Sequence, residues 1–191
     1  DYGIFIGTQS YITTIDNSGT ISAGRNYGIY NSKTITTLTN TGIISSGTNQ
    51  IDIYNNDTIT TFNNDQGKVD SDYVEWSNNL PVNYNVIINS TSDYGITNFS
   101  SPSGELDFGI HSTSSAKVNT TYVDVLMGLT SSYIDTSSGT ITIDGTSYAW
   151  NLFNTNGSNW ALSIGGSLDT STKLSLTTEV APTLRTAFNF A

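Results

Sequence analysis

The sequence predicts an all-β chain. Its main body reads as a right-handed parallel β-helix, a solenoid whose end is closed by antiparallel β-hairpins in a sandwich-like cap. A short helical or irregular C-terminal tail follows. Three observations carry this expectation: a strand-forming repeat near the N-terminus, a composition rich in Ser, Thr, Asn and Gly, and an aromatic hairpin pattern near residue 150. Stacked repeats of this length imply a coil that grows along one axis.

The repeat occupies the first seventy residues. Tyr27-Gly28-Ile29-Tyr30-Asn31-Ser32 leads into Ile35-Thr36-Thr37-Leu38-Thr39-Asn40. Tyr2-Gly3-Ile4-Phe5 precedes Ile12-Thr13-Thr14-Ile15-Asp16-Asn17, and Ile51-Asp52-Ile53-Tyr54-Asn55 precedes Ile59-Thr60-Thr61-Phe62-Asn63-Asn64. The offsets are 23 and 24 residues, from Ile12 to Ile35 to Ile59. Within each copy an apolar-x-Asn-x-x-x-Ile unit recurs, as in Ile15/Asn17/Ile21 and Leu38/Asn40/Ile44. Ile and Thr are β-branched and fit a pleated surface. Coiled into rungs, Ile15, Leu38 and Phe62 would stack inside, as would Ile12, Ile35 and Ile59. Three rungs make only ~15 Å of coil at the ordinary strand spacing, so the expectation is the end of something longer. The recurring Asn reads first as a stack of turn amides, each bonding the next rung and tolerating left-handed backbone. A row of ligand-binding amides is the other reading. Gly19 and Gly42 suit tight corners.

Residues 65–75 gather Asp65, Asp70, Asp72 and Glu75 around Gly67. They form either a solvated junction or a calcium site of hard oxygen ligands. Their spacing fits neither the EF-hand loop nor the glycine-rich calcium repeat. Beyond Leu80 the repeated wording stops and strand-and-turn text continues. Val82, Tyr84, Val86 and Ile88 alternate, and Ile96–Phe99 is a short strand. Leu106, Phe108 and Ile110 share one strand face. Tyr122–Leu126 fits a strand or a helical turn. Thr140–Ile143, Asp144-Gly145 and Tyr148–Leu152 form a hairpin with a DG turn. Asn156-Gly157 is a second turn, leading to Trp160–Ile164. Tyr148, Trp150 and Leu152 would face Trp160, Leu162 and Ile164, an aromatic surface suited to closing a coil whose last rung otherwise exposes core and strand edge. In the tail, Leu176, Val180, Leu184 and Phe188 recur at helical spacing, interrupted by Pro182. The expected divisions are rungs over 1–72, a cap over 73–166 and a linker over 167–191.

Composition excludes several functions. Net charge is −10, with 6 thinly spread basic residues. Nucleic-acid phosphates need clustered cations, and so does an anionic membrane surface. Charged residues are only 12% of the 191, about half the usual share. The chain has no Cys, so it has no disulfide, thiolate nucleophile or Cys-bound metal. No apolar run reaches the ~18 residues of a membrane helix. There is no initiator Met or signal peptide, and the expectation is a fragment or processed piece of a precursor.

Catalytic patterns are weak. His111 is the single histidine; Asp107 and Ser112 lie nearby, but strand neighbours at successive positions point to opposite faces, and His111, next to Ile110, reads as a solvent-side residue. Glu105 and Asp107 form an i, i+2 carboxylate pair of glycosidase type, but paired acids also make an ordinary solvated strand edge. No nucleophile elbow, zinc-protease, P-loop or dinucleotide motif occurs. Among 11 Tyr and 3 Trp, Tyr2 and Tyr27 head equivalent repeats; packing at the coil's corners is favoured over a sugar-stacking row. The sequons at Asn89 and Asn119 are what an Asn- and Thr-rich chain contains by chance. No catalytic, cofactor-binding or metal-ligating residue is therefore predicted, and no cofactor.

The repeats Tyr27–Ser32 and Ile35–Gly42, followed by the Trp150/Leu152 and Trp160/Leu162/Ile164 hairpin, resemble the β-helical passengers of bacterial autotransporters and their autochaperone caps. Thr172–Leu176 and Leu184–Asn189 are similar to the linker before the translocator barrel. The resemblance implies a non-enzymatic, surface-exposed, outer-membrane-tethered stalk of adhesin type. It implies that the cap templates coil folding during type V secretion. The partners implied are the chain's own outer-membrane barrel, missing from this sequence, and a host or surface glycan. Two alternatives stand beside it: a carbohydrate-binding or carbohydrate-cleaving β-helix of phage-fibre or lyase type, and a subunit of an extracellular filament.

Overall fold

Three short strands begin with a β-branched residue placed inside and a side chain placed outside. They are β1 (Ile4–Ile6), β4 (Ile29–Asn31) and β7 (Ile53–Asn55). Each is followed by a six-residue strand: β2 (Ile12–Asn17), β5 (Ile35–Asn40) and β8 (Ile59–Asn64). A third short strand closes the first two rungs, β3 (Thr20–Ser22) and β6 (Ile43–Ser45). The computed structural model describes residues 1–7, 11–47, 51–67 and 73–167. The expected C-terminal linker, apart from its first residue, lies outside the described residues.

Corresponding strands pair in parallel and in register. Ile12 lies beside Ile35 and Ile35 beside Ile59, while Ile15, Leu38 and Phe62 form a second column. Both expected columns are present. Ile29, Ile35, Leu38, Ile53, Ile59 and Phe62 are completely buried, each contributing ~1.5–3 kcal/mol of apolar burial. The architecture is an all-β solenoid of about 5 turns.

Parallel stacking does not stop where the repeated wording stops. β9 (Val74–Asn79) pairs in parallel with β7, and β10 (Asn83–Val86) with β8. β11 (Thr97–Ser103) lies on β9, and β12 (Leu106–Ile110) on β10. β13 (Thr120–Met127) and β14 (Ile134–Thr136) continue the two walls. The coil is therefore longer than the three rungs legible in the repeats. The undecided stretch Tyr122–Leu126 is strand. Val82, which alternates with the buried Tyr84, Val86 and Ile88, is itself 47% exposed and lies just before β10.

The chain then turns back on itself. β15 (Ser138–Ile143), β16 (Thr146–Asn154) and β17 (Trp160–Ser167) are antiparallel, and β17 pairs antiparallel with β13. Among the described residues, one sheet has 9 strands, the opposite one 6 and a third 2. The DG turn has φ of 50° at Asp144 and 77° at Gly145, the mirror-image turn that matches strand twist. Trp150 pairs with Ile164 and Leu152 with Leu162, as expected from the alternation. Trp150 also meets Phe108 edge-on, ring centroids 5.7 Å apart. Phe108 ends the column Phe62–Tyr84–Phe108, so the hairpin closes the coil on an aromatic plug.

Buried asparagines tie the rungs together. Asn17 Nδ2 donates to Asn40 Oδ1 (2.8 Å), and Asn40 Nδ2 to Asn64 Oδ1 (3.2 Å). At the opposite corner Asn31 Nδ2 donates to Asn55 Oδ1 (2.8 Å), and Asn55 Nδ2 to the Asn79 carbonyl (2.8 Å). The turn-amide reading holds, with one correction. None of these ladder asparagines has positive φ. Instead Asn17, Asn31 and Asn64 accept with Oδ1 from the backbone N–H two residues on, an Asx turn that needs no left-handed residue. Gln66 adds a substitute strand. Its Oε1 accepts from Ile44 N–H (2.8 Å) and its Nε2 donates to the Ile44 carbonyl (3.0 Å). One side-chain amide thus pairs the open edge of β6 where the third sheet ends.

Candidate functional site: an outward aromatic ladder

In β4 and β7 the residues flanking the tyrosine point inward, so Tyr30 and Tyr54 point out. Phe5 occupies the same place in β1. Parallel in-register pairing puts Phe5 beside Tyr30 and Tyr30 beside Tyr54. Near-identical outward positions repeat at the rung spacing and therefore stack. Phe5 and Tyr30 have centroids 5.3 Å apart at 14°, and Tyr30 and Tyr54 5.5 Å apart at 6°. Tyr2 and Tyr27 form a second column, 6.2 Å apart. Tyr27 also stacks on Tyr54 at 4.7 Å. On the next rung Ser77 takes the place of Tyr54, and the ladder ends.

Tyr2 and Tyr27 pack as a row on the outside of the coil and belong to a five-ring patch, of which the sequence pointed to two members. Phe5, Tyr30 and Tyr54 were missed, although aligning Ile-Phe-Ile with the two Ile-Tyr-Asn triplets would have found them. The rings spend their faces on one another and present edges and hydroxyls to solvent. Only the end of the stack is open, where Phe5 is 58% and Tyr2 39% exposed. The Tyr30 hydroxyl accepts from Asn56 Nδ2 (3.3 Å), and Asn56 Oδ1 from Asn78 Nδ2 (2.7 Å). The Tyr27 phenol is raised above its ordinary value, by burial first and then by its neighbours Tyr54, Tyr2 and Tyr30.

The other candidates are not brought together. His111 Nδ1 lies 2.8 Å from Thr113 Oγ1, a contact within its own turn. Asp107 accepts from Thr136 Oγ1. His111 lies four positions beyond Asp107, just past the end of β12, roughly 13 Å along extended chain. Ser112 is exposed, and Glu105 lies exposed before β12 begins. Asp65 and Glu75 each have their own amide partner. Asn89 Nδ2 donates to both Asp65 oxygens (2.8 and 3.0 Å), and Asn98 Nδ2 to Glu75 Oε2 (2.9 Å). Burial raises both carboxyls; those amide bonds pull in the opposite direction. Asp70 and Asp72 lie outside the described residues. Among the described residues no group of three or more His, Asp and Glu could hold a metal ion. The Asn89 sequon amide is engaged with Asp65 and Asp93, and Asn119 is exposed.

Fold and surface together define a β-solenoid repeat protein with one capped end and one aromatic face. No protein-family model matches the chain, and neither does any curated protein or solved structure.

Proposed function

We propose that this chain is a non-enzymatic structural segment of autotransporter type: the stalk and closing cap of a surface-exposed, outer-membrane-tethered passenger that supports adhesion. In this reading the C-terminal hairpins fold first and template the rungs during secretion. A translocator barrel is the partner that holds the stalk at the cell surface. The observation that carries it is the difference between the coil's two ends. One end is closed by antiparallel strands, with Trp150 set on Phe108 and the Trp160 indole N–H donating to the Leu129 carbonyl (2.8 Å). The other ends in the outermost strands β1, β2 and β3. A one-dimensional solenoid grows by adding rungs to a folded edge, and a closed end is where such growth can start.

The test removes residues 138–167 and compares the protease resistance of the remaining coil with that of the full chain. Rapid digestion of the rungs is the expected result. Unchanged resistance would remove the cap from its templating role.

A second reading, glycan binding, draws on the exposed faces of Phe5 and Tyr2 at the ladder's end. Binding of sugar polymers that is lost in Phe5→Ala and retained in Tyr133→Phe would favour it over the stalk alone.

A further inference from the structure

Two phenols couple oxidatively when they are neighbours and when an oxidant can reach them. The outer face of rungs two and three meets these requirements. Tyr27 and Tyr54 are stacked at 4.7 Å and 24°, both partly exposed, from rungs that are far apart in sequence. Tyr30 also stacks on Tyr54, but farther away, at 5.5 Å, with its hydroxyl held by Asn56 Nδ2, and Tyr2 lies 5.5 Å from Tyr30 at a tilt of 52°. A buried pair is arranged otherwise. Tyr94 and Tyr122 are 5.2 Å apart but edge-on at 81°, both buried. Their hydroxyls are also engaged, Tyr94 donating to the Val123 carbonyl and Tyr122 accepting from Lys117 N–H. The chain has 11 tyrosines and no cysteine, so a covalent staple between rungs cannot be a disulfide.

We propose that Tyr27 and Tyr54 form an oxidative cross-linking site, at which a peroxidase-type one-electron oxidant joins the two rings as dityrosine and staples the second rung to the third. Each phenol gives one electron to the oxidant and one proton to solvent. The resulting phenoxyl radicals combine at the ring carbons ortho to oxygen, forming one carbon–carbon bond. The hydrogen on each joined carbon then moves to the phenol oxygen through solvent, and aromaticity returns. The net loss is two electrons and two protons, which reduce one hydrogen peroxide to two waters. Stacked rings must slip edge to edge for this bond to form, and partly exposed side chains sample such rotations on the picosecond-to-nanosecond scale. The chemistry rests on the ring geometry and not on what the coil carries, so it stands apart from the stalk reading.

The test treats the dilute full-length chain with a peroxidase and hydrogen peroxide. Dityrosine fluorescence, chain mass and the joined peptides are then measured. The expected product is an intrachain adduct, two hydrogens lighter, that links the peptides bearing Tyr27 and Tyr54. Tyr27→Phe and Tyr54→Phe each keep the ring and should lose most of the fluorescence, while Tyr30→Phe, which removes the other stacked partner of Tyr54, and Tyr11→Phe keep it. The stapled chain should also unfold at higher denaturant. The proposal is overturned by adducts mainly between molecules, by a dominant adduct at another tyrosine pair, by the same adduct pattern in urea-unfolded chain, or by full yield in Tyr54→Phe.

Discussion

The rungs of β1–β8 and those of β9–β14 belong to one coil, yet they are written differently. In the first region the inward columns are aliphatic, Ile4–Ile29–Ile53 and Ile12–Ile35–Ile59, and asparagine ladders brace the corners. In the second, the Ile4–Ile29–Ile53 column passes to Trp76 and Phe99 on one wall, and on the other the neighbouring Ile15–Leu38–Phe62 column passes to Tyr84 and Phe108. The change of filling coincides with the end of the third sheet at Gln66. Rung stacking therefore demands an inward apolar side chain at the right register, and it does not demand a repeated word. The aliphatic rungs lean on ladder amides for order; the aromatic rungs lean on ring packing such as Phe62–Trp76 at 5.1 Å.

The largest effect should come from deleting a ring in the second region. Trp76 is fully buried and also donates Nε1–H to the Asn79 carbonyl (2.9 Å). Trp76→Ala should cost about 3–5 kcal/mol, against about 0.5–1.5 for Ile53→Val directly beside it on the previous rung. Urea unfolding measures both. Equal costs would mean that the aromatic region is not packed as tightly as the aliphatic one.

Next in size is a pH effect centred on Tyr84 in the aromatic region. Tyr84 is buried, and its phenol is pushed up to about 12, chiefly by burial, with bonds to Thr97 and Asn64 opposing the shift. The unfolded chain ionises this phenol near its ordinary value of 10.0 while the folded chain keeps its proton. The contribution is complete below that value and is lost as pH rises towards about 12, a loss on the order of 2–3 kcal/mol. Unfolding midpoints measured from about pH 9 upward should fall, and should fall less in Tyr84→Phe. An identical decline in the variant would assign the base sensitivity elsewhere.

The asparagine ladder gives a smaller, ordered effect in the first region. Asn40 bonds both neighbouring rungs and Gln66, whereas Asn17 stands at the ladder's end. Asn40→Ala should cost about 1–3 kcal/mol, because it strands buried partners on two sides. Asn17→Ala should cost less. A reversed order would show that the end rung, not the middle one, limits the coil.

These contrasts mirror what could be read in advance. Ile12, Ile35 and Ile59 announce a column because position and residue type recur together, and Asn17, Asn40 and Asn64 announce a ladder for the same reason. Asp144-Gly145 announces a hairpin because its turn chemistry is local. The parallel continuation through β9–β14 is not legible, since its pairing partners lie more than twenty residues away and share burial rather than wording. In β13, Asp124 adopts φ of 57° within an irregular stretch of pairing between Tyr122 and Leu126. That break hides the period-two signal and leaves Tyr122–Leu126 ambiguous on paper. Gln66 gave no sequence signal, because a side-chain amide replacing a strand has no periodicity at all. The aromatic ladder was half legible: the outward position is fixed by alternation, but whether rings face solvent or core depends on a register that only pairing sets.

The smallest expected effect is also the sharpest comparison, because it removes the same atom at two places. Tyr84 has its hydroxyl inside the coil, accepting from Thr97 Oγ1 (3.1 Å), while Tyr54 lies on the outer ladder, partly exposed. Tyr84→Phe leaves a buried threonine hydroxyl short of one partner and should cost about 1 kcal/mol at neutral pH. Tyr54→Phe keeps the ring stack and exposes nothing new, so it should stay within about 0.5 kcal/mol of the parent. Urea midpoints of the two variants decide it. If Tyr54→Phe proves the costlier change, the outer ladder is part of what holds the rungs together through its hydroxyls, and the division between an aliphatic core and a dispensable outer ring face fails.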